Sequence, residues 1–251
     1  MAGVSLRVTV LGSSGIYATA GRACAGYLVE FGEQKLWLDA GAGSWRNLLK
    51  HTDYRSLTGV ILSHRHPDHV TDVFQAYHAR YWGDPGHLPS IPLWAPAETI
   101  ERIYGFYSDT AEAFDLHEVA ADGAIEIEDA RLTFTRMAHP PETLGVRFER
   151  DGAVFAYSAD TGEEADFDRL AHDAGFFLCE ATLQESDPVW EGHLRASRAG
   201  ELAAKVGARK LVLTHLPPGR DLERSLKEAQ ATSGDMEVVL AFDGMTLEVR
   251  A

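Results

Sequence analysis

The protein has 251 residues, and at about 150 residues per domain this length allows two small domains or one large α/β or sandwich domain. Apolar residues make up 45% of the chain and charged residues 24%, which is typical of a globular protein with a sizeable core. The net charge is −15, because 38 Asp and Glu outnumber 23 Lys and Arg. So acidic a surface repels polyanions, which argues against a protein that coats nucleic acid or binds an anionic membrane.

The two cysteines, Cys24 and Cys179, cannot form a disulfide framework and fit a reducing compartment. The N-terminal segment MAGVSLRVTVLG lacks the charged and apolar regions of a signal peptide. The sequence contains no run of about 18 apolar residues, so it predicts no membrane span. The sequence therefore predicts a cytoplasmic protein.

Short strands and helices are predicted along the whole chain, with hairpin signals at Gly32-Glu33-Gln34 and Asp151-Gly152. Apolar β-type runs predict strands at 7–11, 27–31, 35–38, 59–62, 91–94, 124–127, 131–137, 144–148, 153–157, 176–179, 210–213, 237–241 and 245–249. Helical spacing predicts helices at 70–82, 97–106, 163–174, 197–206 and 222–229.

Strands cluster in each half of the chain, and no Pro-, Ser- or Gly-rich linker separates the halves. We therefore expect a single domain across residues 1–251, with two sheets packed together and helices outside. The last two strands, 237–241 and 245–249, are expected to pair with each other.

A cluster of histidines follows the strand at 59–62. The segment reads Ser63-His64-Arg65-His66-Pro67-Asp68-His69 and places four candidate metal ligands within six residues. Neutral imidazole and carboxylate groups are the ligands that zinc and related divalent ions use in open catalytic sites. Alternate side chains of a short turn can point into one pocket, so His64 and His66 can face one ion. Asp68 and His69 can then face a neighbouring ion.

Three further candidate ligands each lie just past the carboxyl end of an apolar strand. His139 follows the strand at 131–137, Asp160 the strand at 153–157, and His215 the strand at 210–213. Any one of them alone would be read as a surface or turn residue. Their shared position favours a common site.

These residues, in this order, resemble the metallo-β-lactamase superfamily, whose hallmark motif matches His64-x-His66-x-Asp68-His69. The resemblance spans nearly the whole chain. It implies an α/β fold, a four-layer αββα sandwich of two mixed sheets with helices on the outer faces. It further implies two divalent metal ions, one bound by His64, His66 and His139, the other by Asp68, His69 and His215, with Asp160 bridging them. Zinc is expected, with Mn or Fe as alternatives, because His and Asp ligands accept all three.

The pair Gly192-His193 resembles a motif of the RNase Z-like group, whose histidine contacts the scissile phosphate. Leu194-Arg195 stands where the tRNA-processing enzymes usually have Ser-Thr, and a histidine exposed at a helix start is the alternative interpretation. Glu180 also matches this group. It either orients a ligand or is a buried, hydrogen-bonded carboxylate.

The tRNA-processing enzymes carry a long arm between the third histidine and the bridging aspartate, whereas only 20 residues separate His139 from Asp160. The segment from Leu213 to Pro218 resembles bacterial cyclic-nucleotide phosphodiesterases. The favoured function is therefore a dinuclear-metal-dependent phosphodiesterase for a small phosphodiester such as a 3′,5′-cyclic nucleotide. We hypothesise that a hydroxide between the ions attacks phosphorus, with Asp68 and His193 as the catalytic residues. Asp68 takes a proton from the nucleophile, and His193 either protonates the departing oxygen or stabilises the charge on it.

Alternative functions are a tRNA 3′-processing endoribonuclease and a thioesterase or lactonase that uses the same metal site. A binding module without metals is least favoured, because all seven expected ligands are present. The expected partner is the small substrate, with no membrane and no long nucleic acid. The resemblance is compatible with a homodimer.

Weaker features concern the surroundings of the site. We expect Asp39 to be buried near the metal loop and Gly12-Ser13-Ser14-Gly15 to form a tight turn beside it. Five histidines are expected to be solvated or structural: His51, His78, His87, His117 and His172. Six aromatic residues are expected mostly in the core, with one or two at a pocket rim: Tyr77, Tyr81, Trp82, Tyr104, Phe106 and Tyr107.

Overall fold

The structure, a computed structural model, describes residues 5–83 and 85–250. The first four residues of the segment examined for a signal peptide lie outside this part of the chain. The strands are β1 (Leu6–Gly12), β2 (Gly26–Phe31), β3 (Gln34–Ala40), β4 (Gly59–Ile61), β5 (Ile91–Ala95), β6 (Phe114–Glu118), β7 (Ala124–Ile127), β8 (Ala130–Arg136), β9 (Leu144–Arg150), β10 (Ala153–Tyr157), β11 (Phe176–Glu180), β12 (Lys210–Thr214), β13 (Glu237–Leu240) and β14 (Thr246–Val249). The helices are α1 (Ser44–His51), α2 (Pro67–Val70), α3 (Val73–Tyr81), α4 (Ala97–Phe106), α5 (Phe167–Ala171), α6 (Ala196–Lys205) and α7 (Leu222–Gln230), with 3-10 turns at Tyr54–Ser56 and Ser108–Glu112.

The strands form two mixed sheets of seven strands each. The first has the order β14-β1-β2-β3-β4-β5-β6, and the second has the order β13-β12-β11-β10-β9-β8-β7. In each sheet one part is antiparallel and the other parallel, with β3 to β6 parallel in the first and β10 to β13 parallel in the second. Both predicted hairpins are present, β2 with β3 and β9 with β10.

The two sheets pack face to face over an apolar core. Phe155 lies at its centre, with ring centroids 5.3 Å from Phe148 and 4.6 Å from Phe176. The outer face of each sheet is covered by helices, α1, α3 and α4 on the first and α5, α6 and α7 on the second. The expected αββα sandwich is confirmed. Among the described residues, no helix is long and apolar enough to cross a membrane.

The expectation that the last two strands pair with each other is wrong. β13 lies parallel to β12 in the second sheet, whereas β14 lies antiparallel to β1 in the first. The turn between them crosses from one sheet to the other, and Asp243 fastens it there. Its carboxylate accepts hydrogen bonds from the Ser13 amide at 3.1 Å and the Ala23 amide at 2.7 Å.

Two predicted helices differ from those observed, and one strand, β6, and one helix, α1, were missed. Residues 70–82 do not form one helix, because a turn at Thr71 and Asp72 separates α2 from α3. The helix expected at 163–174 is only α5, which begins where the Asp166 carboxylate accepts a bond from the Arg169 amide. The edge strand β6 has the sequence FDLHE, whose polar residues lie on its exposed positions and hide the strand pattern.

The six aromatic residues that were expected mostly in the core are not mostly buried. Tyr77 is buried, but Trp82, Tyr104 and Phe106 are exposed, because they lie on the outer sides or ends of α3 and α4. The five histidines expected to be solvated or structural are all exposed.

The strands that precede the candidate ligands point toward the same edge of the sandwich. In the second sheet β8, β10 and β12 have the same direction, since β9 is antiparallel to both β8 and β10. In the first sheet β3 and β4 are parallel. The loops after these strands therefore meet at the same edge, where side chains from distant parts of the sequence come together.

Candidate metal centre

Three histidines form one side of the candidate centre. The Nδ1 atom of His66 lies 3.1 Å from Nε2 of His64 and 3.1 Å from Nε2 of His139. Asp160 Oδ2 is 3.7 Å from His64 Nε2 and 3.9 Å from His139 Nε2. Four nitrogen and oxygen donors therefore converge on one point.

The second side is formed by His69, His215 and Asp68. The Nε2 atoms of the two histidines lie 3.3 Å apart, and His215 Nε2 lies 3.2 Å from Asp68 Oδ2. Asp160 also faces this side, because its Oδ1 is 3.3 Å from Nε2 of both histidines. The structure thus brings together all seven residues singled out in the sequence, with Asp160 between the two groups.

The histidines are held by hydrogen bonds through their other ring nitrogens. For four of them this partner lies outside the cluster: Ser63 Oγ on His64 at 3.0 Å, Asp39 Oδ2 on His69 at 2.8 Å, the Gly192 carbonyl on His139 at 2.9 Å and Thr182 Oγ1 on His215 at 3.0 Å. Such outer contacts fix the ring orientation and tautomer of a metal-ligating histidine. Each of these four rings therefore presents Nε2 to the centre.

Asp39 is the most connected of these outer partners, and it is fully buried as expected. Besides His69 it binds the Ser63 amide at 2.7 Å, the Ser63 hydroxyl at 2.8 Å and the Tyr157 hydroxyl at 2.8 Å. It lies at the end of β3 with φ +55°, a conformation that an Asp adopts more readily than most residues. Asp39 therefore ties the histidine loop to both sheets.

The Gly-rich turn after β1 also lies beside the centre, as expected. A Cβ on Gly15 would meet the His215 carbonyl oxygen at 2.6 Å, so only glycine allows this close approach. The following amide, that of Ile16, donates to Asp68 Oδ2 at 2.7 Å. The turn therefore positions the carboxylate of Asp68.

Burial and crowding set the protonation of the cluster. Burial, together with neighbouring imidazoles, holds the pKa of His64 well below its usual value and also lowers the pKa of His66 and His139. Burial would raise the pKa of Asp160, but the surrounding histidines hold it well below its usual value. These are the forms that bind a metal ion, neutral imidazole and ionised carboxylate. His69 differs, since burial would lower its pKa but the Asp160 and Asp39 carboxylates hold it well above its usual value, so a bound metal would have to displace that proton.

The donor set fits a divalent cation. Imidazole nitrogens and carboxylate oxygens are the ligands of zinc and of related transition metals. One buried atom in the cluster, Asp160 Oδ1, has no hydrogen-bond partner, although buried polar atoms in proteins almost always have one. A cation between the histidines would satisfy this oxygen.

His193 stands beside this cluster. Its Nδ1 donates to Glu180 Oε1 at 2.9 Å, and its ring centroid is 4.9 Å from that of His139. Burial alone would lower the pKa of His193, but the Glu180 carboxylate raises it. His193 is buried, whereas the alternative interpretation expects a histidine exposed at a helix start.

Glu180 is a buried, hydrogen-bonded carboxylate, one of its two interpretations from the sequence, and it contacts none of the seven candidate ligands through these bonds. It is fully buried and accepts backbone hydrogen bonds from Thr161 at 2.8 Å and from Thr182 at 3.1 Å. It also holds His193. Leu194 belongs to the same arrangement, because its amide donates to Glu180 Oε2 at 3.3 Å.

A cavity of about 290 Å³ opens over the cluster. Its wall includes Asp68, Asp160 and His193, and also Trp190, which the sequence analysis missed. The only sign of Trp190 in the sequence was its place three residues before His193. Among the described residues that line this cavity, there is none of the six aromatic residues that the sequence suggested for a pocket rim.

Comparison with known proteins identifies related chains. A sequence model of the beta-lactamase superfamily domain matches residues 34–216. An uncharacterized protein of Mycobacterium tuberculosis is 34% identical over 98% of this chain and 93% of its own length. The probable metallo-hydrolase YhfI of Bacillus subtilis is 27% identical, over 97% of this chain and 100% of its own, and a crystal structure of YhfI superposes with a TM-score of 0.88. A ribonuclease Z of Archaeoglobus fulgidus is 23% identical over 97% of both chains.

Proposed function

Because the chain belongs to the metallo-β-lactamase superfamily, in its RNase Z-like branch, and is a metal-dependent hydrolase, we propose that it hydrolyses a small phosphodiester such as a 3′,5′-cyclic nucleotide. The observation that carries this proposal is the hydrogen bond between His193 and Glu180 at the edge of the cluster. It supports the proposal because it would hold His193, as a proton donor, next to the candidate metal ligands, where the leaving oxygen of a phosphoester would be.

The cluster would hold two divalent ions, with zinc favoured over Mn or Fe. His64, His66 and His139 would bind one ion, and Asp68, His69 and His215 the other. Asp160 would bridge them, since its two oxygens face opposite sides. When bound, such ions supply positive charge that neutralises phosphoryl oxygens and activates water for attack at phosphorus.

Two side chains of the protein move protons. Asp68 accepts a proton from the attacking water while the new bond from water oxygen to phosphorus forms. The ester bond to the departing oxygen breaks, and His193 gives that oxygen a proton from Nε2, the ring nitrogen that does not bind Glu180. Glu180 keeps the ring oriented and stabilises its protonated form.

The size and charge of the protein favour a small substrate. The interval between His139 and Asp160 is occupied by β9, its turn and β10, which leaves no room for an arm that grips tRNA. The net charge of −15 repels a long polyanion, whereas a small phosphodiester meets only the local field of the centre. We further propose a single domain over residues 1–251 that acts in the cytoplasm, an arrangement compatible with a homodimer.

The test is a hydrolysis profile of the metal-loaded protein. Substrates are 3′,5′-cyclic AMP and GMP, a linear dinucleotide, precursor tRNA, an acyl thioester and a lactone. We expect the highest kcat/KM on a cyclic nucleotide or the dinucleotide and loss of this activity in Asp160→Asn. Precursor tRNA as the best substrate would instead identify a tRNA 3′-processing endoribonuclease, and a preference for the thioester or lactone would identify an acyl hydrolase.

A further inference from the structure

Trp190 is a large aromatic side chain at the rim of the site. It is 48% exposed, and its ring centroid lies 4.4 Å from that of His193. It lines the cavity of about 290 Å³ that also contains Asp68 and Asp160. The half-exposed ring over a polar site offers a flat apolar face to a molecule that enters the cavity.

The loop that carries Trp190 is fixed to the centre at two points. The His193 amide donates to the Trp190 carbonyl at 3.2 Å, which closes a turn between these residues. Within this turn, the Gly192 carbonyl accepts the hydrogen bond from His139. The backbone that carries the indole therefore has a defined position relative to the candidate metal ligands, as a surface that orients a substrate requires.

We propose that Trp190 is the surface on which the base of a nucleotide substrate stacks while its phosphodiester lies at the metal cluster. This assignment rests on the proposed phosphodiesterase function and adds the part of the substrate that is recognised. Stacking suits this role because every base has a π face, and an aromatic side chain binds it without further geometric demands. The base, and not only the phosphate, then contributes to affinity.

Charges beyond Trp190 support a base rather than a second phosphate on this side. An adjoining cavity of about 570 Å³ is lined by Trp190 and by three carboxylates, Glu163, Glu164 and Glu191. Glu163 is paired with Arg198 at 3.1 Å. This leaves Glu164 and Glu191 to repel a second phosphate, whereas a neutral base is not repelled. The exocyclic amino group of adenine or guanine can also donate a hydrogen bond to a carboxylate.

A second aromatic side chain provides the internal comparison. Phe106 is 74% exposed, and its ring lies 5.0 Å from that of Phe74 in a cavity of about 430 Å³ on the other side of His66. That cavity includes His66 but none of the other candidate ligands. Among the described residues, Trp190 is therefore the tryptophan, tyrosine or phenylalanine that lines the cavity together with Asp160 and His193.

The experiment compares 3′,5′-cyclic AMP with the 3′,5′-cyclic phosphate of methyl riboside, which lacks the base. In Trp190→Leu we expect KM for cyclic AMP to rise about 10-fold, with KM for the base-free substrate unchanged. Trp190→Phe should recover most of the loss, because a phenyl ring still stacks. Phe106→Leu and Trp82→Leu, which remove exposed aromatic rings outside the reaction cavity, should leave both KM values unchanged.

A binding measurement keeps the outcomes separate. Quenching of tryptophan fluorescence by 5′-AMP should be strong in the metal-loaded wild type and in Trp82→Leu, and weak in Trp190→Leu. Ribose 5-phosphate should bind the wild type about 10-fold more weakly than 5′-AMP. A wild type that hydrolyses neither the cyclic phosphates nor the linear dinucleotide contradicts the proposed function, and the fluorescence then decides on Trp190 alone.

The stacking role is overturned by any of three results. The first is an equal loss on both substrates in Trp190→Leu, which would mean that Trp190 acts through His193. The second is a base-dependent effect in Phe106→Leu but not in Trp190→Leu. The third is equal affinity of the wild type for 5′-AMP and ribose 5-phosphate.

Discussion

The carbonyl of Gly192 accepts a hydrogen bond from His139 Nδ1 at 2.9 Å, so a candidate metal ligand and the loop that carries His193 are joined directly. Gly192 has φ +86°, and a Cβ at this position would lie 2.8 Å from His139 Nδ1. Both its backbone conformation and the space around it therefore require glycine. The same turn therefore positions a candidate metal ligand and His193, the proposed proton donor.

Gly192→Ala tests this connection. A methyl group would push His139 away, and we expect metal affinity to fall about 10-fold or more, with a matching loss of turnover. Metal content after dialysis and kcat/KM on a phosphodiester measure the two effects.

Gly219→Ala is the matched control. Gly219 has a similar φ of +84°, but nothing lies within 4 Å of the position of its Cβ. This variant should lose about 1–2 kcal/mol of unfolding free energy from backbone strain and keep its metal. Equal metal loss in both variants would show that backbone strain, rather than contact with His139, is responsible.

Glu180 is predicted to act on turnover through His193. Glu180→Gln keeps the side-chain shape but removes the negative charge that holds the imidazole. We expect kcat to fall about 10-fold, and His193→Ala to lower it about 10² to 10⁴-fold, with metal content unchanged in both.

A double variant separates action through His193 from a general effect on the fold. If Glu180 acts only by orienting and charging His193, adding Glu180→Gln to His193→Ala should cause little further loss of kcat. Fully multiplicative losses would contradict this role.

The sequence predicted the fold and the meeting of seven side chains for one physical reason. Each candidate residue follows an apolar strand, and such strands, when they run in the same direction, end at the same edge of a sheet. His139, Asp160 and His215 lie far apart in sequence, yet the ends of β8, β10 and β12 bring them together. The strand pattern therefore indicated which residues, although far apart in sequence, lie close together in the fold.

Other features depended on contacts that no local pattern records. The position of β14 beside β1 is set by Asp243, whose carboxylate binds the amides of Ser13 and Ala23 more than 200 residues away. Trp190 lies in a proline-containing loop whose residues show no hydrophobic periodicity. Its place at the cavity is recognised only in the structure, from the short distance between its ring and that of His193. Such side chains are placed by tertiary contacts rather than by local propensity.

Thr182 is predicted to control metal affinity on one side of the centre. Its hydroxyl is 3.0 Å from His215 Nδ1 and is fully buried. Thr182→Val keeps the volume but leaves that ring nitrogen without a partner, and we expect metal affinity to fall about 10-fold to 100-fold. Competition with a chelator measures the affinity.

Thr182→Ser retains the hydroxyl and provides the control. It should bind metal nearly as tightly as the wild type, with only a small loss of unfolding free energy from the missing methyl group. A loss of affinity in Thr182→Ser as large as in Thr182→Val would assign the effect to packing rather than to the hydrogen bond.

Asp160 is predicted to be required on both sides of the centre, because its two carboxylate oxygens face different histidine groups. In Asp160→Asn the neutral amide can no longer bridge two cations, and we expect at most one tightly held ion per chain, against two in the wild type. Elemental analysis after dialysis gives the count. The increase in melting temperature on metal addition should shrink as well, since metal that binds the native state stabilises it.

Asp72→Asn is the corresponding control, because Asp72 is a buried aspartate outside the cluster that accepts a hydrogen bond from the Trp45 amide at 2.8 Å. It should lower the melting temperature of the metal-free protein yet leave the number of bound ions unchanged. Two ions retained in Asp160→Asn would refute the bridging position. An equal loss of ions in Asp72→Asn would show that the count responds to any buried carboxylate, and would remove the special role of Asp160.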